Sequence, residues 1–212
     1  MRSEIVIIGA GGHARVIADI LRCRGERLLG YLDDKDASAF PDLPMLGKLA
    51  DIGRFAEHRF IIGIGHNATR RAIALQHPEL TYYTAIHPSA VIASDVRIGK
   101  GCAVMANAVI NTGSVLLEHC IVNTAATLDH DNELAAFVHV SPGAHLSGTV
   151  TVGQETWLGT GALVCNNVNL CGGCMIGAGA VGTRDVSEPG TSVGGPAGLL
   201  ERIVPLGGGR PR

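Results

Sequence analysis

Aromatic residues are scarce in this chain: one Trp, three Tyr and four Phe among 212 positions. Aromatic side chains usually supply much of a core's buried area, so the interior here has to be filled by aliphatic ones. Charge is sparse too, at 17% of residues, with a net charge of -2 and no Lys/Arg block. That removes the electrostatic footprint of a nucleic-acid-binding protein. Long apolar runs are missing. The opening stretch Glu4-Ile5-Val6-Ile7-Ile8-Gly9 is far too short for a signal or membrane segment. The six cysteines show no disulfide framework of an exported domain, and Cys171-Gly-Gly-Cys174 has metal-like spacing without a second Cys/His pair beside it. The expectation is a reduced, cytoplasmic protein with no membrane contact and no metal site.

What the chain does have is a period. From Ile86 to Ile176 every sixth residue is Ile, Leu or Val: Ile86, Ile92, Ile98, Val104, Ile110, Leu116, Val122, Leu128, Leu134, Val140, Leu146, Val152, Leu158, Val164, Leu170 and Ile176. A helical face repeats at three and four, and a half-buried strand repeats at two. A period of six is the mark of a parallel β-helix, in which each hexapeptide makes one short strand and one corner. The positions two residues earlier carry small or β-branched residues such as Ala90, Cys102, Ala108, Ser114, Cys120, Ala126 and Ala144, suited to crowded corners.

Residues 1–82 read differently. Glu4 to Gly9 is a buried strand running into glycines, and Val16, Ile17, Ile20 and Leu21 follow at helical spacing. Arg27 to Leu32 is a second strand ending in Asp33-Asp34, Phe60 to Ile64 a third, and Ala68 to Leu75 a second helix. Strands alternating with helices imply a parallel α/β sheet that binds ligands at the carboxyl ends of its strands. The expected organisation is an α/β domain at 1–82, half of a full Rossmann-like dinucleotide fold, then a β-helix at 83–182 and a Gly/Pro-rich tail at 183–212. Disorder is expected from Leu206 onward.

Two constellations carry chemistry. Gly9-Ala10-Gly11-Gly12-His13-Ala14 fits G-x-G-x-x-[GA] between a strand and a helix, where a tight turn leaves helix N–H groups free for an anion. Asp33 stands about where a ribose-binding acid belongs. Half a dinucleotide fold suits a mononucleotide or a nucleotide sugar better than NAD, and a purely structural turn is the plain alternative. The second constellation is Asp129-His130-Asp131, with His139 nine residues later. A histidine beside a carboxylate suits general-base work. The unbroken six-residue phase places both histidines on the solenoid surface, where the usual fate of a histidine is solvation. His58, His66, His77, His119 and His145 read as that kind.

These residues resemble the sialic-acid O-acyltransferase family of hexapeptide-repeat enzymes. The segments that carry the likeness are Gly-Ala-Gly-Gly-His-Ala, Leu-Asp-Asp, Ile-Gly-Ile-Gly-His-Asn, Ile-His-Pro-Ser-Ala, Val-Asn-Thr-Ala-Ala-Thr-Leu-Asp-His-Asp and Val-His-Val-Ser-Pro-Gly-Ala, in the family's order. Within the family the chain is most similar to bacterial nucleotide-aminosugar N-acetyltransferases acting on 4-amino-4,6-dideoxy sugars for surface glycans. The resemblance implies a left-handed β-helix, a homotrimer, and acetyl-CoA as co-substrate in the groove between solenoids. It implies His130 as general base with Asp131 beside it. Gly11, Gly12 and His13 then fall in the nucleotide-sugar phosphate loop, Asp33 and Asp34 at the nucleoside, Gly65 in the turn closing that pocket, and Asn123 facing the sugar. His139 corresponds to the histidine at the acetyl-CoA thioester, and Thr160 and Ala178 to positions along the pantetheine channel. The family's C-terminal Gly-x-Pro-Ala-Lys becomes Gly194-Gly195-Pro196-Ala197-Gly198, so a basic residue is missing there.

O-acetylation of a sialic acid or another sugar hydroxyl by the same residues is the nearest rival. A non-catalytic nucleotide sensor on a structural β-helix is a second, and a purely structural solenoid a third. The choice among UDP, dTDP and GDP stays open.

Overall fold

The computed structural model describes residues 4–35 and 40–199. The expected disorder from Leu206 lies outside the described residues. Near the N-terminus β1 (Ile5–Ile8), β2 (Leu28–Leu32), β3 (Met45–Gly47), β4 (Arg59–Ile62) and β5 (Thr81–Tyr82) form one parallel sheet in the order β3-β2-β1-β4-β5. β1 lies in the middle, which is why all four of its residues are apolar and buried. The strand order reverses at β1, so the carboxyl ends of β1 and β4 flank a crevice.

Helix α1 (Gly12–Cys23) buries Ala14, Ile17, Ala18, Ile20 and Leu21, one stripe of a 3.6-residue helix. Those residues cluster with Ile5, Ile7 and Ile61 on one side and with Ala85, Ala103 and Ile121 on the other. α1 is thus the layer between the sheet and the repeat region. Helix α2 (Asn67–Gln76) covers the opposite face of the sheet, with Ile73 and Ala74 among Val6, Ile8 and Phe60. β3 and a 3-10 helix at Leu49–Phe55 fall in a stretch where the sequence shows no clear period.

From Ala85 the chain winds as a left-handed parallel β-helix. Short strands recur every six residues, each paired in parallel with the strand eighteen residues on: Ala85 with Ala103, Ile110 with Leu128, Leu116 with Leu134. Among the described residues these strands build three walls of a triangular prism. The first face runs through Ala103–Val104, Ile121–Val122, His139–Val140 and Trp157–Leu158; the second through Val109–Ile110, Thr127–Leu128, His145–Leu146 and Leu163–Val164; the third through Val115–Leu116, Glu133–Leu134, Thr151–Val152 and Asn169–Leu170. The aliphatic column from Val104 to Ile176 is buried throughout.

Each corner has its own stack. Ala108, Ala126, Ala144, Ala162 and Ala180 fill the corner between first and second faces. Ser114 and Asn132 occupy the next, with the Ser114 hydroxyl and Asn132 Nδ2 both donating to the Asp129 carbonyl, which meets the requirement that buried polar groups be paired. From Gly101 to Gly179 every sixth residue is left-handed, including the bulky His119 (φ 57°) and Phe137 (φ 63°). A left-handed non-glycine residue costs about 1 kcal/mol or more, so something has to hold these two.

Beyond Ile176 the aliphatic period ends, but the pairing does not. Gly190–Val193 adds in parallel to Cys174–Ile176, and Gly198–Leu199 returns antiparallel. Backbone pairing continues where no side-chain repeat marks it. No helix among the described residues is long and apolar enough to cross a membrane.

Candidate active site

The glycine turn after β1 is built for close approach. Gly9 has φ +101°, and a Cβ there would lie 2.8 Å from Ile64 Cγ1. Gly11 caps α1 without a side-chain hydrogen bond, so the first-turn N–H groups remain available. Asp33 braces the loop: its Oδ2 accepts from the Ala10 N–H at 2.7 Å and its Oδ1 from the Lys35 N–H at 2.8 Å. Asp34 Oδ1 accepts from the Leu49 N–H at 3.0 Å. Around this loop opens a cleft of about 720 Å³, lined by Gly11, Gly12, His13, Asp33, Asp34 and Gly65 among others. It sits at the carboxyl ends of the strands, where the parallel sheet leads one to expect a ligand.

Behind His13 and Gly65 of that lining, the structure corrects the sequence reading. His139 is not a surface histidine; it is 5% exposed, covered by the N-terminal sheet and its loops. Its Nδ1 donates to the Gly65 carbonyl at 3.2 Å, and its Nε2 accepts from Asn123 Nδ2 at 3.2 Å. The Asn123 orientation is set by its Oδ1, which accepts from the Thr124 N–H at 2.8 Å. One tautomer satisfies every partner. The ring stacks on Trp157 at 5.0 Å and 13°, and Trp157 Nε1 donates to Ser141 Oγ at 2.8 Å. His13 lies with its ring centroid 6.1 Å from that of His139, and its Nε2 is buried with no protein partner. His119 is likewise buried rather than solvated, stacked on Phe137 at 5.2 Å.

Burial first, and then the Arg70 charge, lowers His13 to a pKa of about 4 and His139 to about 3. His119 is lowered to about 4 by the same two causes. Such groups are neutral in the folded protein and basic when unfolded, so the unfolded state binds more protons between about pH 4 and 6.5. Stability is therefore full above pH 6.5 and falls as pH drops through that window. His13 and His139 are each expected to contribute about 1.4 kcal/mol per pH unit to that slope. Urea unfolding at a series of pH values checks this; His139→Gln should flatten the slope, and an equally steep slope would mean that the imidazole is charged when folded.

His130 and Asp131 stand elsewhere, at the corner between second and third faces. His130 Nδ1 donates to Asp131 Oδ2 at 2.8 Å, and Asp131 occupies a left-handed turn position that an aspartate tolerates. That hydrogen bond, then the nearby Asp129 and Asp131 charges, raises the His130 pKa above the usual imidazole value. Asp129 Oδ1 accepts from both the Asn111 side chain and the His130 N–H. Nε2 of His130 is left as a proton acceptor, and the side chain is 48% exposed. The ring lies over Gly148, where a Cβ would come within 2.5 Å of Nε2.

A triangular prism puts that corner opposite the first face, and His139 projects from the first face. Within one chain, then, Gly11, Gly12, His13, Asp33, Asp34, Gly65, Asn123 and His139 converge, while His130 and Asp131 stand apart. Thr160 and Ala178 lie on exposed turns of successive coils at the corner of Asn123, linked by the Gly179 N–H to Thr160 carbonyl bond. Arg70, Trp157 and Gly148 belong to these sites but carry no motif, and Ser141, though inside Val-His-Val-Ser-Pro-Gly-Ala, gives no sign of its role as acceptor for Trp157. Among the described residues no His, Cys, Asp and Glu side chains are grouped to hold a metal.

The profile of the PglD N-terminal domain matches residues 4–76. The chain is 35% identical to a perosamine N-acetyltransferase from Caulobacter crescentus, solved as a histidine mutant with CoA and GDP-perosamine; the match covers 94% of this chain and 97% of that one at TM-score 0.91. The chain belongs to the nucleotide-aminosugar N-acetyltransferases. It is also 38% identical to the acetyltransferase domain of PglB from Neisseria gonorrhoeae, solved with acetyl coenzyme A, over 94% of this chain and 100% of that one, at TM-score 0.90. A Bacillus subtilis UDP-N-acetylbacillosamine N-acetyltransferase is 33% identical over 119 residues, and that match spans 51% of its length.

Proposed function

We propose that the protein transfers acetyl from acetyl-CoA to the C4 amine of a nucleotide-linked 4-amino-4,6-dideoxy sugar, in an active site shared between neighbouring copies of a homotrimer. The single observation that carries this reading is the division of the site. A nucleotide-sized cleft is lined by His13 and Gly65, which both meet His139 of the first face, and a carboxylate-oriented base stands at the corner between second and third faces. The second face lies between that corner and the corner of Asn123, the hydrogen-bond partner of His139. Its outward column includes Val91 (62% exposed) and Leu163 (42% exposed), and no other element among the described residues covers it. The first face is covered by α1 and loops of the N-terminal domain, and the third presents Arg97, Glu133 and Asn169. Three prisms with their second faces turned to a common axis bury that column, in which Val91, Val109, Leu163 and Val181 flank the hydrogen-bonded pair Thr127 and His145. They also bring the His130 corner of one copy beside the Asn123 corner of the next, as closed symmetry requires.

In this arrangement the first turn of α1 takes the diphosphate, Asp33 and Asp34 flank the nucleoside, and the sugar reaches inward toward His13, whose unpaired Nε2 offers a hydrogen bond. Thr160 and Ala178 line the channel for the pantetheine arm. The neutral amine attacks the thioester carbonyl, forming the C–N bond. The neighbouring His130 Nε2 takes the ammonium proton and returns it to the departing thiolate as the C–S bond breaks. Asp131 stabilises the imidazolium between the two steps. No acyl-enzyme is formed.

The pairing is testable through pH. Asp131→Asn removes the charge that favours protonated His130, so the acidic limb of kcat/KM should move to lower pH, with the fold unchanged. An acidic limb that stays in place would show that Asp131 does not tune the base. Transfer to a nucleotide-linked amino sugar but not to its hydroxyl analogue separates N- from O-acetylation.

A further inference from the structure

Arg70 reads in the sequence as part of an ordinary helix face, yet it is 1% exposed. All five of its N–H donors are engaged, and every acceptor is a carbonyl or amide oxygen rather than a carboxylate. Nε donates to the His119 carbonyl at 2.9 Å; Nη1 to the Ile64 and Gly65 carbonyls at 3.2 and 3.0 Å; Nη2 to Asn67 Oδ1 and the Phe137 carbonyl at 2.9 and 2.8 Å. Burial lowers its pKa to about 10, so the charge persists at neutral pH. A buried, unneutralised cation is costly. A neutral residue would suffice for packing alone.

The acceptors show what the charge holds. His119 and Phe137 are the bulky left-handed residues of the solenoid corner, and Ile64 and Gly65 form the turn that lines the nucleotide cleft. The Gly65 carbonyl has two lone pairs. Arg70 Nη1 takes one, and His139 Nδ1 takes the other. A carbonyl can only accept, so the His139 proton is kept on Nδ1 and Nε2 is left to accept from Asn123. The ionisable groups around His139 are His13 from α1, Arg70 from α2 and His66 at the α2 N-cap against Trp157, while Glu155 of the solenoid, paired with Arg71, acts on Arg70.

We propose that Arg70 is a positioning residue of the active site: it pins the Ile64–Gly65 turn to the solenoid and, through the shared Gly65 carbonyl, fixes the tautomer and orientation of His139. The functional half of this rests on the reading that His139 serves acyl transfer; the structural half does not.

The test uses the full-length protein labelled with ¹⁵N-histidine, with His139 assigned by its loss in His139→Gln. In wild type the His139 ring should be neutral with its proton on Nδ1 down to about pH 5. Arg70→Met should release the tautomer, move the His139 titration upward by a unit or more, and lower kcat about tenfold. Arg70→Lys keeps the charge but not the fork. It should leave His139 neutral while raising KM for the nucleotide sugar about tenfold, with KM for acetyl-CoA near wild type. A purely structural role would lower Tm in both variants without moving the His139 spectrum, and that result overturns the proposal. So does wild-type protein in which His139 titrates in the ordinary imidazole range or carries its proton on Nε2, a result that needs no variant to fold. Wild type with the expected spectrum but no transfer to any nucleotide-linked amino sugar would sink the proposed function while upholding the linkage of Arg70 to His139.

Discussion

Replacing His130 by Ala is expected to lower kcat by about 10²–10⁴, the usual worth of a positioned general base. KM for acetyl-CoA should change only a few-fold. The size of the effect follows from the geometry. Nδ1 is committed to Asp131, so Nε2 is the basic atom, and the ring is held over Gly148 with nothing bulkier in its way. Asp129 is the poorer base, because hydrogen bonds from Asn111 and the His130 N–H to its Oδ1 hold its carboxyl below the usual carboxylate range. The fold should be indifferent, since the side chain is half exposed on a turn. Gly148→Ala is expected to act in the same direction by displacing the ring. Near-wild-type kcat in a folded His130→Ala protein would move the base elsewhere.

The second large effect is expected at the opposite end of the substrate. Gly12 opens α1, no atom lies within 4 Å of where its Cβ would stand, and its φ is not in the left-handed range. Asp therefore fits without strain. A carboxylate at a helix N-terminus stabilises the helix by about 0.3–1 kcal/mol, so Gly12→Asp should melt no lower than wild type. The same charge sits where the diphosphate has to bind. Losing charge-assisted hydrogen bonds there, with like-charge repulsion added, is worth about 3 kcal/mol, so KM for the nucleotide sugar should rise about 100-fold. Steady-state kinetics with calorimetric melting checks both halves. A variant that melts higher and binds as before would place the diphosphate away from α1.

The repeat region was legible because each short strand makes the same geometric demand, and Ile, Leu or Val answers it sixteen times. The left-handed turn residues repeat just as strictly but were invisible, since Gly101, Asn107, His119, Ala125 and Phe137 share no chemistry. His130 with Asp131 was legible for the opposite reason: neighbours in sequence are neighbours in space. His139 was misplaced. An outward position on a coil strand is solvent-exposed unless another element docks there, and the docking is done by Arg70 and Asn67 through backbone carbonyls, which leave no complementary side-chain pattern to read. The glycine cleft was found by motif, whereas its link to the solenoid runs through the Ile64 and Gly65 carbonyls, which no motif marks as acceptors for Arg70 and His139.

The central claim is that one catalytic site draws on two copies of the chain. Unfolding and refolding His130→Ala together with Gly12→Asp, and assaying at a nucleotide-sugar concentration near the wild-type KM, where each variant alone is nearly inactive, tests it directly. In mixed oligomers some sites combine the intact His130 corner of the Gly12→Asp chain with the intact cleft of the His130→Ala chain. The account predicts recovery of roughly a quarter of wild-type activity at equal mixing, by random assembly around a cyclic oligomer. Activity no greater than the average of the two variants would contradict it, and would mean that each chain carries a complete site of its own.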